Sequence, residues 1–268
     1  MEIPDNVLQA ALFPSLDLPD PPPGHPYQVV RRTGYTIGMF AGMPLGNAAV
    51  SAIDPAHVEA AIEHVHAVLR EHGKNEVAWF VPEAASPPDL AQRLLRRGAT
   101  PFDKPPFEAR FASMVTVRPP APGPPDIIAR PAESFEEFRA SGEVANAAFD
   151  VSKNDRLAYD AQARLLWEIA ESGGAYRTFV AIVDGEIVGS GGAIYGANAV
   201  YLSGGSTNED VRGRGVYRAL VRARWDAAVE RRTPALTVLA GKMSRPILER
   251  LGFATVGWVD CLSDRLVP

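Results

Sequence analysis

Asp210-Val211-Arg212-Gly213-Arg214-Gly215-Val216-Tyr217 places two glycines and two arginines at the mouth of an amphipathic segment. Beyond them Tyr217, Leu220, Val221, Trp225 and Ala228 recur at three- and four-residue steps, so the glycines stand at a helix N-terminus. Amides there have no intrahelical acceptor and lie at the positive end of the helix dipole, an arrangement that holds phosphate. Arg212 and Arg214 add charge-assisted, bidentate donors, which suit a diphosphate better than one carboxylate. A dinucleotide fingerprint would need a third glycine at position 218, which is Arg218. A P-loop would need serine or threonine after Gly241-Lys242, where Met243 stands. Tyr201 and Ser203 on the segment leading to the turn, Tyr195 before it, and Glu209 and Asp210 beside it are the nearby groups that can move a proton.

These residues need a strand before the turn and a helix after it. Ala199 to Ser203 reads as that strand, and its Gly204-Gly205 exit predicts a bulge or a close backbone approach. Upstream come a strand at Ile127 to Ala129, a helix from Phe135 to Phe149, an amphipathic segment from Leu157 to Ile169, and a strand from Tyr176 to Val183. Asp184-Gly185 turns that strand into the one beginning at Glu186. Downstream follow Leu236 to Leu239, a short helix opened by Ser244 and Pro246 and stopped at Gly252, and two apolar segments, Ala254 to Val259 and Leu262 to Val267. The first half carries a fainter copy. Val77 to Val81 is its strand, Ser86 and Pro88 its helix start, and Leu94-Leu95-Arg96-Arg97-Gly98 its helix end, beside Leu248-Glu249-Arg250-Leu251-Gly252 in the second. Where the second half has its glycine turn, the first has Asp54-Pro55-Ala56-His57, without glycine.

Five prolines between Pro119 and Pro125 forbid helix interior and central strand, so residues 118–126 are read as a linker. The organisation expected is a proline-rich leader at 1–26, a degenerate domain at 27–117 without a phosphate turn, and a complete domain at 127–268. The 268 residues carry 46% hydrophobic and 22% charged side chains, enough for a real core. A net charge of -5 leaves no basic field for nucleic acid or an anionic membrane. No apolar run approaches the ~20 residues of a membrane helix, and the acidic start is unlike an export signal. Cys261, the single cysteine, excludes an internal disulfide and a thiolate-rich metal site and fits a cytoplasmic protein. It reads as a buried small hydrophobe, and the five histidines, all in the first half, complete no metal set, so no metal is expected.

The run from strand through Arg212-Gly213-Arg214-Gly215-Val216-Tyr217, helix, strand and short helix to Leu251-Gly252-Phe253 resembles the GNAT superfamily of acyl-CoA N-acyltransferases over residues 127–268. Arg212 and Gly215 match that family's Gln/Arg-x-x-Gly-x-Gly/Ala signature, and Tyr217 replaces its final small residue. The resemblance implies an α+β fold of two GNAT-like domains, each a twisted, mixed, largely antiparallel sheet flanked by helices. It implies acetyl-CoA as co-substrate, its pantetheine on the backbone of Gly205, Ser206 and Thr207 and its pyrophosphate on the amides from Val211 to Tyr217. The glutamate base and tyrosine acid of many members fall here on Ala199 and Leu248, which move no proton. Tyr201, Ser203 and Glu209 are therefore the catalytic candidates, and Asp150 and Asp155, between the first two helices, the candidates for a cationic amine. Three readings stay open: transfer of an acyl group to the primary amine of a small molecule or protein, a non-catalytic acyl-CoA-binding or regulatory module, and a nucleotide-binding protein of another fold. Gly215→Val is expected to abolish donor binding and spare stability.

Overall fold

The computed structural model describes residues 2–104 and 107–266. In the first half, hairpin strands β1 (Tyr27–Arg32) and β2 (Tyr35–Phe40) lead to β3 (Leu45–Val50), which crosses through helix α3 (Val58–Glu71) to β4 (Glu76–Pro82). The second half repeats that order with β8 (Tyr176–Val183), β9 (Glu186–Tyr195), β10 (Val200–Thr207), α8 (Val216–Glu230) and β11 (Leu236–Ala240). In both copies the crossover pair, β3 with β4 and β10 with β11, is parallel, as a helical connection requires. Short helices follow each crossover, α4 (Leu90–Arg96) and α9 (Arg245–Arg250).

The two halves share one sheet, joined by exchange of their last strands. After α4 the chain forms β5 (Thr100–Pro101) and β6 (Arg110–Thr116); after α9 it forms β12 (Ala254–Arg265). β6 pairs with β11 of the second half, and β12 pairs with β4 of the first, while β6 and β12 pair with each other. Strand order is β1-β2-β3-β4-β12-β6-β11-β10-β9-β8-β7, where β7 is Ile128–Pro131. The cores record the exchange: Ala112 and Met114 of β6 pack with Phe179, Leu220 and Leu236, whereas Leu262 of β12 packs with Ile37, Leu69 and Trp79. β12 takes the place of two expected segments. Its Ala254–Asp260 stretch pairs with β6 and its Val259–Arg265 stretch with β4, so one strand serves two ladders; Val267 lies outside the described residues.

The remaining helices pack on this sheet. The leader contains α1 (Asp5–Leu12) and α2 (Pro14–Asp17), and Val7, Ala10 and Ala11 form a small core with Val115, Ala199 and Ala235. Asp17 then accepts hydrogen bonds from the backbone and side-chain amides of Asn198, at 2.9 and 2.7 Å, and so ties the leader to the turn that feeds β10. α5 (Phe135–Ala148) is capped by Ser134, whose Oγ accepts from the Glu137 amide at 3.2 Å. The amphipathic segment expected from Leu157 to Ile169 is two helices, α6 (Lys153–Asp160) and α7 (Ala163–Glu171). A tightened turn separates them, the Gln162 amide donating to Tyr159 three residues back. Residues 118–126 hold no helix or strand and run beside α8, where the Pro120 carbonyl accepts from Arg222 at 3.1 Å. No helix among the described residues is long and apolar enough to cross a membrane.

Candidate active site

β10 is built to leave its neighbour. It pairs with β11 only at Val200↔Leu236 and Tyr201↔Thr237, although β11 continues to Ala240 in register with β6. On its other edge the register with β9 shifts between Ser203 and Ser206, and Gly204 there has a φ of 57°, a left-handed backbone that glycine adopts at little cost. The splayed strands open a cleft of ≈ 1260 Å³, lined by Tyr201, Ser203, the backbone of Gly204 to Thr207, and the whole turn from Val211 to Tyr217. The Tyr217 ring lies against Gly205, where a Cβ would stand 2.6 Å from Cε2.

The turn itself presents donors. Glu209–Val211 form one 3-10 turn, Gly213 and Gly215 have φ of 82° and 92°, and α8 begins at Val216 with no side-chain cap. The amides of Val211, Arg212 and Arg214 donate to the carbonyls of Asn208, Glu209 and Val211, so these three, expected in a phosphate cradle, are turned inward. The amides of Gly213, Gly215, Val216, Tyr217 and Arg218 donate to no protein acceptor among the described residues. Five amides without acceptors at the start of a 15-residue helix fit a diphosphate. The side chains of Arg212, Arg214, Arg218 and Lys242 ring the same cleft. The stability expected of Gly215→Val does not follow from this geometry. A Cβ at Gly215 would stand 2.8 Å from Pro124 Cγ on a left-handed backbone, so any side chain there disturbs folding as well as binding.

Among the catalytic candidates, Tyr201 and Ser203 face the cleft and Glu209 does not. Glu209 is exposed and its carboxylate accepts from Arg212 at 3.0 Å. Burial lifts the Tyr201 hydroxyl to about 12, with the Leu239 backbone pulling the other way, so near neutral pH this phenol can donate a proton and cannot take one. Tyr195 lies outside the cleft, under the Arg231 guanidinium 3.8 Å from its ring centre. Ala199 and Leu248 are buried among apolar side chains. Of the two acids expected to meet an amine, Asp155 lines the cleft and accepts from Ser152 Oγ at 2.7 Å, while Asp150, at a φ of 48°, lies outside it.

The first half also brings to the cleft side chains that the sequence reading did not name. Met43, Phe80, Asp103, Phe107, Glu108 and Phe111 line the cleft together with Phe138, Phe149 and Tyr159. Glu108 accepts from the Lys242 amide at 2.8 Å, close against Gly241. Also missed was Arg224, fully buried on α8 and lining the cleft; the available signal was an arginine inside the apolar stripe of Leu220, Val221, Trp225 and Ala228. Cys261 packs with Ala78 and Phe102, and burial pushes its thiol up to about 12. His64 hydrogen-bonds Tyr35 and His66 pairs with Asp264, both at 2.8 to 2.9 Å; no cluster of three or more metal-ligating side chains exists among the described residues.

Residues 150–261 match the family model of the acetyltransferase (GNAT) domain. Among solved structures, a GCN5-related N-acetyltransferase from Kribbella flavida superposes with a TM-score of 0.65 at 17% identity, over 98% of this chain and 96% of that one. A tandem GNAT protein from the clavulanic acid biosynthesis pathway, solved without AcCoA, gives 0.61 at 16%, over 99% and 89%. A GCN5-related N-acetyltransferase from Sphaerobacter thermophilus gives 0.61 at 16%, over 88% and 78%. Identities this low establish a common fold and leave substrates to be argued from the cleft. None of the curated proteins compared with the chain is a significant match.

Proposed function

We propose, from the acetyltransferase (GNAT) domain matched at residues 150–261 and the fold shared with solved N-acetyltransferases and a tandem GNAT protein, that the chain transfers an acyl group, acetyl in the simplest case, from acyl-CoA to a primary amine. The observation that carries this reading is the set of unpaired amides at Gly213, Gly215, Val216, Tyr217 and Arg218, opening onto the splayed edge of β10. The diphosphate of the donor sits on those amides, its charge met by Arg212 and Arg214. The pantetheine arm runs along Gly205, Ser206 and Thr207, backbone that β11 leaves unpaired.

Both reactants occupy the cleft together, so the neutral amine attacks the thioester carbonyl directly. Carbon–nitrogen bond formation expels the thiolate, which has a pKa of only ~8.5 and is protonated by Tyr201 or by solvent. The amine's surplus proton passes to water or to a carboxylate of the cleft, Glu108 or Asp103. Aromatic side chains from both halves suit an acceptor amine with an apolar or aromatic body. The work of the first half is then to close the acceptor side, and its β3–α3 connection, without a glycine, holds no second donor.

Calorimetry with coenzyme A, acetyl-CoA, ATP and NAD, followed by thiol release over an amine panel, tests the proposal. Coenzyme A and acetyl-CoA are expected to bind, and at least one aromatic amine to release thiol. Donor binding without turnover on any amine would move the protein to the non-catalytic reading. ATP or NAD binding as tight as coenzyme A would defeat both.

A further inference from the structure

Arg224 is a buried charged residue of the cleft that acyl transfer, as proposed above, leaves unused. None of its surface is exposed. Its Nε donates to the Leu220 carbonyl at 3.0 Å and its Nη1 to the Gly192 carbonyl at 3.1 Å, while Nη2 has no hydrogen-bond partner among the described residues. No carboxylate among the described residues stands beside it: its polar neighbours are the phenols of Tyr176 and Tyr217, kept neutral by burial, of which Tyr217 is close enough to share a hydrogen bond with the guanidinium. Burial disfavours the guanidinium's charge, yet arginine keeps its proton in proteins, and a buried cation persists where an anion or a full set of acceptors meets it. The sheet makes deliberate room for it: a Cβ at Gly191 would stand 2.8 Å from Nη1.

The position along the cleft identifies the missing partner. Gly192, which anchors Nη1, is the register partner of Ser203, so Arg224 lies at the level where the β10 bulge begins. The diphosphate belongs at the other end of the bulge, on the Gly213–Arg218 amides. An anion that reaches Arg224 is therefore carried by the reacting ends of the ligands. We propose that Arg224 is a specificity residue that binds a carboxylate on one of the two reactants: on the acyl group, as in a dicarboxylic acyl thioester, or on the acceptor, as in an α-amino acid. Nη2 offers two N–H donors to its oxygens. This inference rests on the acyl-transfer reading of the cleft.

Titration calorimetry on the full chain separates the two sources. One arm compares succinyl-CoA and malonyl-CoA with acetyl-CoA; the other, with coenzyme A present, compares phenylalanine with 2-phenylethylamine. The carboxylated member of at least one arm is expected to bind about tenfold tighter or more, the worth of a hydrogen bond to a charged group. Arg224→Met is expected to erase that preference, and Arg224→Lys, which keeps the charge without the fork, to restore part of it. A preference that survives Arg224→Met overturns the proposal. Should the variants fail to fold, the wild-type chain still decides: coenzyme A binding with no carboxylate preference in either arm overturns this inference alone. Absence of binding by coenzyme A and all its thioesters overturns the acyl-transfer reading and this inference with it.

Discussion

Tyr201 sets what a single side chain in this cleft can contribute. With its hydroxyl raised to about 12 by burial, it is protonated near neutral pH, and in the proposed reaction it is the side chain placed to donate to the departing thiolate. Tyr201→Phe is expected to lower kcat about a hundredfold while the affinity for acetyl-CoA holds, because the hydroxyl meets the thiolate only as it forms. Single-turnover thiol release beside calorimetry checks both halves; an unchanged kcat would assign protonation to solvent. The residues at this scale differ in how legible they are. Gly213 and Gly215 announce themselves in sequence, since a left-handed backbone before a helix selects glycine. Arg224 shows only as an arginine inside the apolar stripe of α8, and the room that Gly191 of β9 leaves for its guanidinium has no sequence link to that helix.

The N-terminus of α5 illustrates an element whose stability hangs on one ionised group. Arg130 forks onto both oxygens of Glu137, at 2.8 and 2.7 Å, and the Glu133 amide donates to the same carboxylate at 2.8 Å. The Arg130 hydrogen bonds, aided by that amide and opposed by burial, bring the Glu137 carboxyl down from 4.5 to about 2. Because the folded value is the lower one, the contribution is complete above the unfolded value near 4.5 and is lost as the pH falls through about 2. Partial exposure of the pair limits it to about 2 kcal/mol. Urea unfolding of Glu137→Gln should show that loss at pH 7 and a difference from wild type that vanishes near pH 2; a pH-independent difference would mean that packing, not charge, is at stake. Most elements were readable from periodicity and turn residues, β8 with its Asp184-Gly185 turn to the residue. The break between α6 and α7 was not, because the amphipathic spacing runs on across Ala161-Gln162 and only the tertiary turn decides where the helix stops.

Exchange of β6 and β12 is a property of the whole molecule. The sequence repeat discloses which strands each half owns, but a strand that ends one unit satisfies the same backbone donors whichever neighbour receives it, so the pairing stays hidden. Only the length of β12 hints at it, since 12 residues exceed what one short ladder of this sheet uses. The proline-rich segment at 118–126 looks like a place to cut, yet β6, just before it, fills the slot beside β11 with five paired residues and buries Ala112, Met114 and Val115 there. A fragment of residues 127–268 lacks that strand, leaving open edges on β11 and β12 and a hole in the core of the donor cleft. It is expected to be aggregated or unfolded by circular dichroism and size-exclusion chromatography and to bind no coenzyme A. Adding residues 1–126 should restore both, and the intact chain should melt in one transition because neither half completes its sheet alone. A monomeric, coenzyme-A-binding 127–268 fragment would contradict this, and would mean that β12 can turn back to cover the β11 edge by itself.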